Sequence, residues 1–125
     1  MKLTLAKTAG FCYGVKRAVE MAEDCAGSGG PCVMLGPIIH NQAVIDRLRG
    51  LGVGLAERVE DVEPETAVIL RSHGEGPGTY EALKGRGARI IDATCPHVAR
   101  IHTLARQAQE EGRRVIIIGA PDHHE

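Results

Sequence analysis

Short apolar, largely β-branched runs alternate along this chain with stretches of helical period, and that rhythm restricts its fold more than any other feature. Residues 3–7, Cys32-Val33-Met34-Leu35-Gly36, Ala67-Val68-Ile69-Leu70-Arg71, Arg89-Ile90-Ile91-Asp92 and residues 114–118 each read as a short strand. Between them Val15, Ala18, Val19 and Ala22 form a helical stripe that runs to about Cys25. Val44, Ile45 and Leu48 form a second helix with Asn41 as its cap, and residues 79–84 a third, stopped by Gly85 and Gly87. Val98, Ile101, Leu104, Ala105 and Ala108 mark a fourth, opened by Pro96. The segment around Val53 leaves its type open. Such alternation predicts an α/β fold: a parallel sheet with helices on both faces.

A chain of 125 residues suits one ordinary domain that buries roughly two thirds of its unfolded surface without disulfide staples. Fifteen Lys and Arg against sixteen Asp and Glu leave a net charge of -1, so no general pull toward nucleic acid or anionic membranes is expected. Phe11, Tyr13 and Tyr80 are the only aromatics, too few for a base-stacking surface. The opening residues carry too short an apolar run for a secretory signal, and no run is long enough to span a bilayer. A cytoplasmic protein is therefore expected, in which Cys12, Cys25, Cys32 and Cys95 stay reduced or hold a metal.

In open parallel sheets, ligands bind beyond the carboxyl ends of the strands. Cys12, His40, His73, Cys95, His123 and Glu125 each follow an expected strand, so a shared strand direction would gather all six at one edge. Cys95 lies where a buried strand turns into a helix. The unpaired first-turn amides leave partial positive charge near its sulfur, a setting for a nucleophile, redox partner or metal ligand. Cys12 stands in the glycine-bounded turn Gly10-Phe11-Cys12-Tyr13-Gly14, which is poorly suited to core packing. Cys25 and Cys32 adjoin apolar stripes and read as structural. His97 and His102 ride on the last helix and read as solvated or satisfied. His40 and His73 sit in loops where imidazoles and backbone N–H groups could hold an anion, although a lone loop histidine is more often only solvated. Zinc, cysteine nucleophilic catalysis and an iron-sulfur cluster beside a phosphate pocket all fit these residue types, and composition does not choose among them.

Four motifs carry a resemblance. Gly10-Phe11-Cys12-Tyr13-Gly14-Val15-Lys16-Arg17-Ala18, Ile39-His40-Asn41, Ser72-His73-Gly74 and Asp92-Ala93-Thr94-Cys95-Pro96 resemble, in order and spacing, the amino-terminal part of the 4-hydroxy-3-methylbut-2-enyl diphosphate reductases, the LytB/IspH family. The resemblance implies a 4Fe-4S cluster held by three cysteines, Cys12 and Cys95 being two of them. It implies that His40, His73 and His123 belong to a diphosphate pocket and Glu125 to a proton relay. It also implies a product mixture of isopentenyl and dimethylallyl diphosphate, at the end of the methylerythritol phosphate route to isoprenoids, with ferredoxin or flavodoxin as electron donor. Members of the family have three α/β lobes and a third cysteine beyond the stretch matched here. Residues 1–95 are accordingly expected to form the first lobe and 96–125 the start of the second, inactive alone and with the segment 114–118 short of its own sheet. His124 stands where the family's His-Pro-Glu motif has proline, so His124 competes with His123 for the pocket role. The rival expectation is a non-catalytic phosphate- or metal-binding α/β module.

Overall fold

The computed structural model describes residues 1–120. Its elements follow in the order α1 (Tyr13–Gly27), β1 (Cys32–Leu35), α2 (Gln42–Gly50), β2 (Gly54–Ala56), a 3-10 turn (Val59–Asp61), β3 (Ala67–Leu70), α3 (Pro77–Gly85), β4 (Arg89–Asp92) and α4 (Pro96–Glu110). The four strands form one sheet in the order β2-β1-β3-β4, every pair parallel.

Alternation along each strand builds two cores. Cys32 and Met34 of β1 and Ala67 and Ile69 of β3 join Ala18, Val19 and Ala22 of α1 and Val44, Ile45 and Leu48 of α2. The intervening Val68 and Leu70, with Leu35, face the other way and meet Leu83 of α3 and Val62. Successive side chains of a strand point to opposite faces, so an all-apolar strand such as β3 needs cover on both. It has that cover: all four of its residues are buried. The helices thus lie on both faces, as the alternation predicts.

Three expectations need correction. Residues 3–7 form no strand: they are irregular and exposed, with Leu3 and Leu5 above four fifths accessible, so Cys12 does not follow a strand. Residues 114–118 likewise form no strand, and Ile116, Ile117 and Ile118 are exposed. β4 is not a buried strand. It is the sheet edge among the described residues, with Ile90 and Ile91 only half-buried. At residues 3–7 and 114–118 the apolar pattern is real but meets no neighbouring strand among the described residues, whereas β4 is paired on one side only, with β3.

The fourth helix forms as its period predicts, yet its stripe is largely uncovered. Val98 is buried, whereas Ile101 and Leu104 are more than half exposed.

Candidate functional site

Parallel strands end at the same edge, and the loops leaving β1, β3 and β4 are stitched together there. Ser72 N–H donates to the carbonyl of Ile38 at 3.4 Å, and Cys95 N–H donates to the carbonyl of Ser72 at 2.7 Å. His40 follows β1, His73 follows β3 and Cys95 follows β4, in the order of those strands across the sheet.

Cys12 and Cys95 occupy equivalent places on different helices. Each is the residue just before the first helical turn, Cys12 of α1 and Cys95 of α4, with extended backbone (φ -63°, ψ 164° and φ -58°, ψ 131°). Pro96 is the first residue of α4, where a missing N–H costs nothing. The side chain of Cys95 lies directly against the first turn of α1: a Cβ built on Gly14 would stand 2.6 Å from the Cys95 Sγ. Gly14 is two residues from Cys12, so the helix start that carries one thiol is packed on the other. Cys12 is exposed and Cys95 half-buried, which leaves both thiols within reach of a ligand.

The turn before Cys95 is tied down on three sides. Asp92 accepts the Thr94 N–H at 2.9 Å and, through the same oxygen, the Thr94 hydroxyl. Its other oxygen accepts the Tyr80 hydroxyl of α3 at 2.9 Å. Arg17 of α1 donates to the Thr94 carbonyl at 3.2 Å. Partial burial opposes ionisation of Asp92, but the hydrogen bonds from Thr94 and Tyr80 and the charge of Arg17 outweigh it and hold the carboxyl below its usual range. Burial and the bond to Asp92 push the Tyr80 hydroxyl up.

Gly74, at φ 82°, lets the loop after β3 pass close to Thr94 and His102: a Cβ there would meet Thr94 Oγ1 and His102 Cε1, each at 3.1 Å. His73 lines a cavity of about 1090 Å³ between α3 and α4, together with Tyr80, Lys84, His102 and Arg106. Arg71 at its wall donates from Nε to Glu75 at 2.6 Å. His40 borders a separate cavity of about 490 Å³ with Pro37, Asn41 and Arg49. The cysteines line neither cavity; the described residues set the Cys95 side chain against the helix start that Cys12 precedes, and place the two histidines in different hollows. His123, His124 and Glu125 lie outside the described residues.

Cys25 on α1 and Cys32 at the start of β1 are buried in the core, as expected of structural thiols. Burial, with a side-chain hydrogen bond to Cys25, pushes the Cys32 thiol up to about 12. The sequence assigns Gly14, Arg17, Tyr80 and Asp92 no role in the site, and it reads His102 as solvated or satisfied on the last helix. Asp92-Ala93-Thr94 carried a usable signal, since Asp two residues before Thr is a common turn in which the carboxylate accepts the later N–H. Nothing local announces that Arg17 or Tyr80 would reach the same turn.

Two thiols at adjoining helix starts suit soft metals and iron-sulfur clusters. Among the described residues no set of three or more His, Cys, Asp or Glu side chains is grouped so as to hold a metal ion. No helix is long and apolar enough to cross a membrane.

Residues 3–125 match the family model described as "LytB protein". The chain is 45% identical over 124 residues to a 4-hydroxy-3-methylbut-2-enyl diphosphate reductase of Aquifex aeolicus, covering 98% of this chain and 43% of that protein. It is 40% identical over 126 residues to the reductase of the same name from Anaeromyxobacter sp., covering 100% of this chain and 44% of the relative. A solved structure of (E)-4-hydroxy-3-methyl-but-2-enyl diphosphate reductase, described as the terminal enzyme of the non-mevalonate pathway, superimposes with a TM-score of 0.83 at 44% identity, covering 94% of this chain and 42% of that one. The Plasmodium falciparum E-1-hydroxy-2-methyl-but-2-enyl-4-diphosphate reductase gives 0.88 at 33% identity, covering 94% and 37%. The chain spans less than half the length of the relatives it matches.

Proposed function

The chain belongs to the LytB protein family, and from that premise we propose that it supplies the first lobe of a reductase acting on 4-hydroxy-3-methylbut-2-enyl diphosphate. Cys12 and Cys95 serve as two thiolate ligands of a 4Fe-4S cluster, and the third comes from sequence beyond the matched stretch. The observation that carries this reading is the packing of the Cys95 side chain on Gly14, two residues from Cys12.

When bound, the cluster supplies electrons and a Lewis-acidic iron for removal of the C4 hydroxyl as water. The chain's own residues handle the rest of the substrate. His40, His73 and His123 hydrogen-bond the diphosphate and, when protonated, neutralise part of its charge. Glu125 holds the proton that leaves with the hydroxyl as water, and a second proton taken up at the allylic carbons forms the product's new C–H bond, balancing the two electrons. The products are isopentenyl and dimethylallyl diphosphate, the electron donor is a ferredoxin or flavodoxin, and the compartment is the cytoplasm. Residues 1–95 form the first lobe and 96–125 begin the second. The exposure of Ile101 and Leu104 and the absence of 114–118 from the sheet support that division.

Anaerobic reconstitution with iron and sulfide, followed by iron counting and absorption, tests this. The 125 residues alone are expected to retain well under four irons, and Cys12→Ser or Cys95→Ser to lower even that. Supplying the complementary portion of a relative should raise the count to four. A full complement on this chain by itself would overturn the shared-ligand assignment, and zinc retained through chelation would replace it with a metal-binding module.

A further inference from the structure

The cap position of Cys95 is not secured by its own helix. Of α4 only Val98 is buried, and β4, from which the turn departs, is a half-exposed edge. Ala93 anchors the turn in the core and the Cys95 N–H donates to Ser72, and around them the side-chain contacts on the turn are polar. Asp92 gathers the Thr94 N–H, the Thr94 hydroxyl and the Tyr80 hydroxyl, while Arg17 crosses from α1 to the Thr94 carbonyl. Arg17 lies five residues beyond Cys12, on the helix that Cys12 caps. Its guanidinium therefore ties the element bearing one thiol to the turn bearing the other. Arg17 and Asp92 also attract each other, so both flanks of the turn are held by charged groups. Hydrogen bonds to charged groups are the stronger kind.

We propose that Arg17, Asp92 and Tyr80 are positioning residues that preset the separation of the Cys12 and Cys95 thiols before any metal binds. A two-thiol chelate gains affinity when its spacing is fixed in advance, because less conformational freedom is lost on binding. The inference rests on the reading that the two thiols serve one centre. It adds which polar side chains fix their spacing, beside the buried Ala93 that anchors the turn. Tyr80 links this clamp to α3 and so to the wall of the larger cavity.

Phenylarsine oxide, which bridges paired thiols, tests the inference on the reduced chain, with peptide mapping to locate the bridge. The wild type is expected to take one arsenical at Cys12 and Cys95. Arg17→Met and Asp92→Asn should keep the circular dichroism spectrum and the rate of Cys12 alkylation by iodoacetamide, yet slow bridging about tenfold, as befits the loss of a charged hydrogen bond. Arg17→Lys, still able to donate to the Thr94 carbonyl, should recover most of the rate. Tyr80→Phe, which keeps the ring, should slow bridging by a smaller factor, about threefold. Unchanged bridging in the folded variants overturns the positioning role alone. A wild-type chain that is not bridged at these two cysteines overturns the shared-centre reading and the clamp with it.

Discussion

Cys95 and Gly14 touch across 81 positions of sequence: the cysteine side chain occupies the space that a Cβ on residue 14 would need, 2.6 Å from the sulfur and 2.9 Å from the Cys95 Cβ. The glycine is there to admit a neighbour. In the first turn of α1 helix propensity would otherwise favour alanine, by less than the roughly 1 kcal/mol of a helix interior.

Gly14→Ala is therefore expected to destabilise the fold despite that propensity, by about 1–3 kcal/mol, the usual cost of overpacking. Urea unfolding measures it. Combining it with Cys95→Ala should recover part of the loss, because the closer of the two clashing atoms is removed.

Asp92 makes stability depend on acid. Its folded carboxyl ionises more readily than in the unfolded chain, so between the two pKa values the unfolded state binds more protons and stability rises with pH. The contribution is fully present above the unfolded value, about pH 4, and is lost as pH falls through the lower folded value. Asp92→Asn should flatten that part of the wild-type stability profile, measured by denaturant titration between about pH 2 and 6. An identical slope in the variant would assign the acid dependence elsewhere.

Cys32 works in the opposite sense. Burial and the Cys25 contact raise its thiol from 9.0 to about 12, so the folded state holds a proton that the unfolded state has lost in that range. Its contribution is complete below pH 9 and declines as pH rises toward 12. At pH 8, Ellman's reagent should titrate exposed Cys12 readily and leave Cys25 and Cys32 untouched until guanidinium is added.

Asn41 caps α2 by accepting the Val44 N–H at 3.2 Å. Asn41→Ala should cost about 1 kcal/mol in thermal or urea unfolding, while Asn41→Asp should cost little. As the cap adjoins His40, the alanine variant should also loosen the loop after β1, seen as faster amide exchange there.

Much of the architecture was legible because local periodicity reports which residues need burying. The all-apolar Ala67–Leu70 reads as a strand, which the sheet then places between two neighbours, and Asn41 and Pro96 marked helix starts by their own backbone chemistry. The same periodicity misled at residues 3–7 and 114–118, where a strand-like pattern meets no partner among the described residues. Pattern states that a segment can pair, not with what.

The amino-acid order by itself determined the layered α/β class, the four helices and the family motifs that single out Cys12, His40, His73 and Cys95. Only the tertiary structure decided that the Cys95 side chain lies on the helix start next to Cys12, that His40 and His73 open onto different cavities, and that Arg17, Tyr80 and Asp92 converge on one turn. Helix caps and strands are set by neighbours a few residues apart. A contact between residues 17 and 94 exists only once parallel strands have brought their carboxyl ends to one edge.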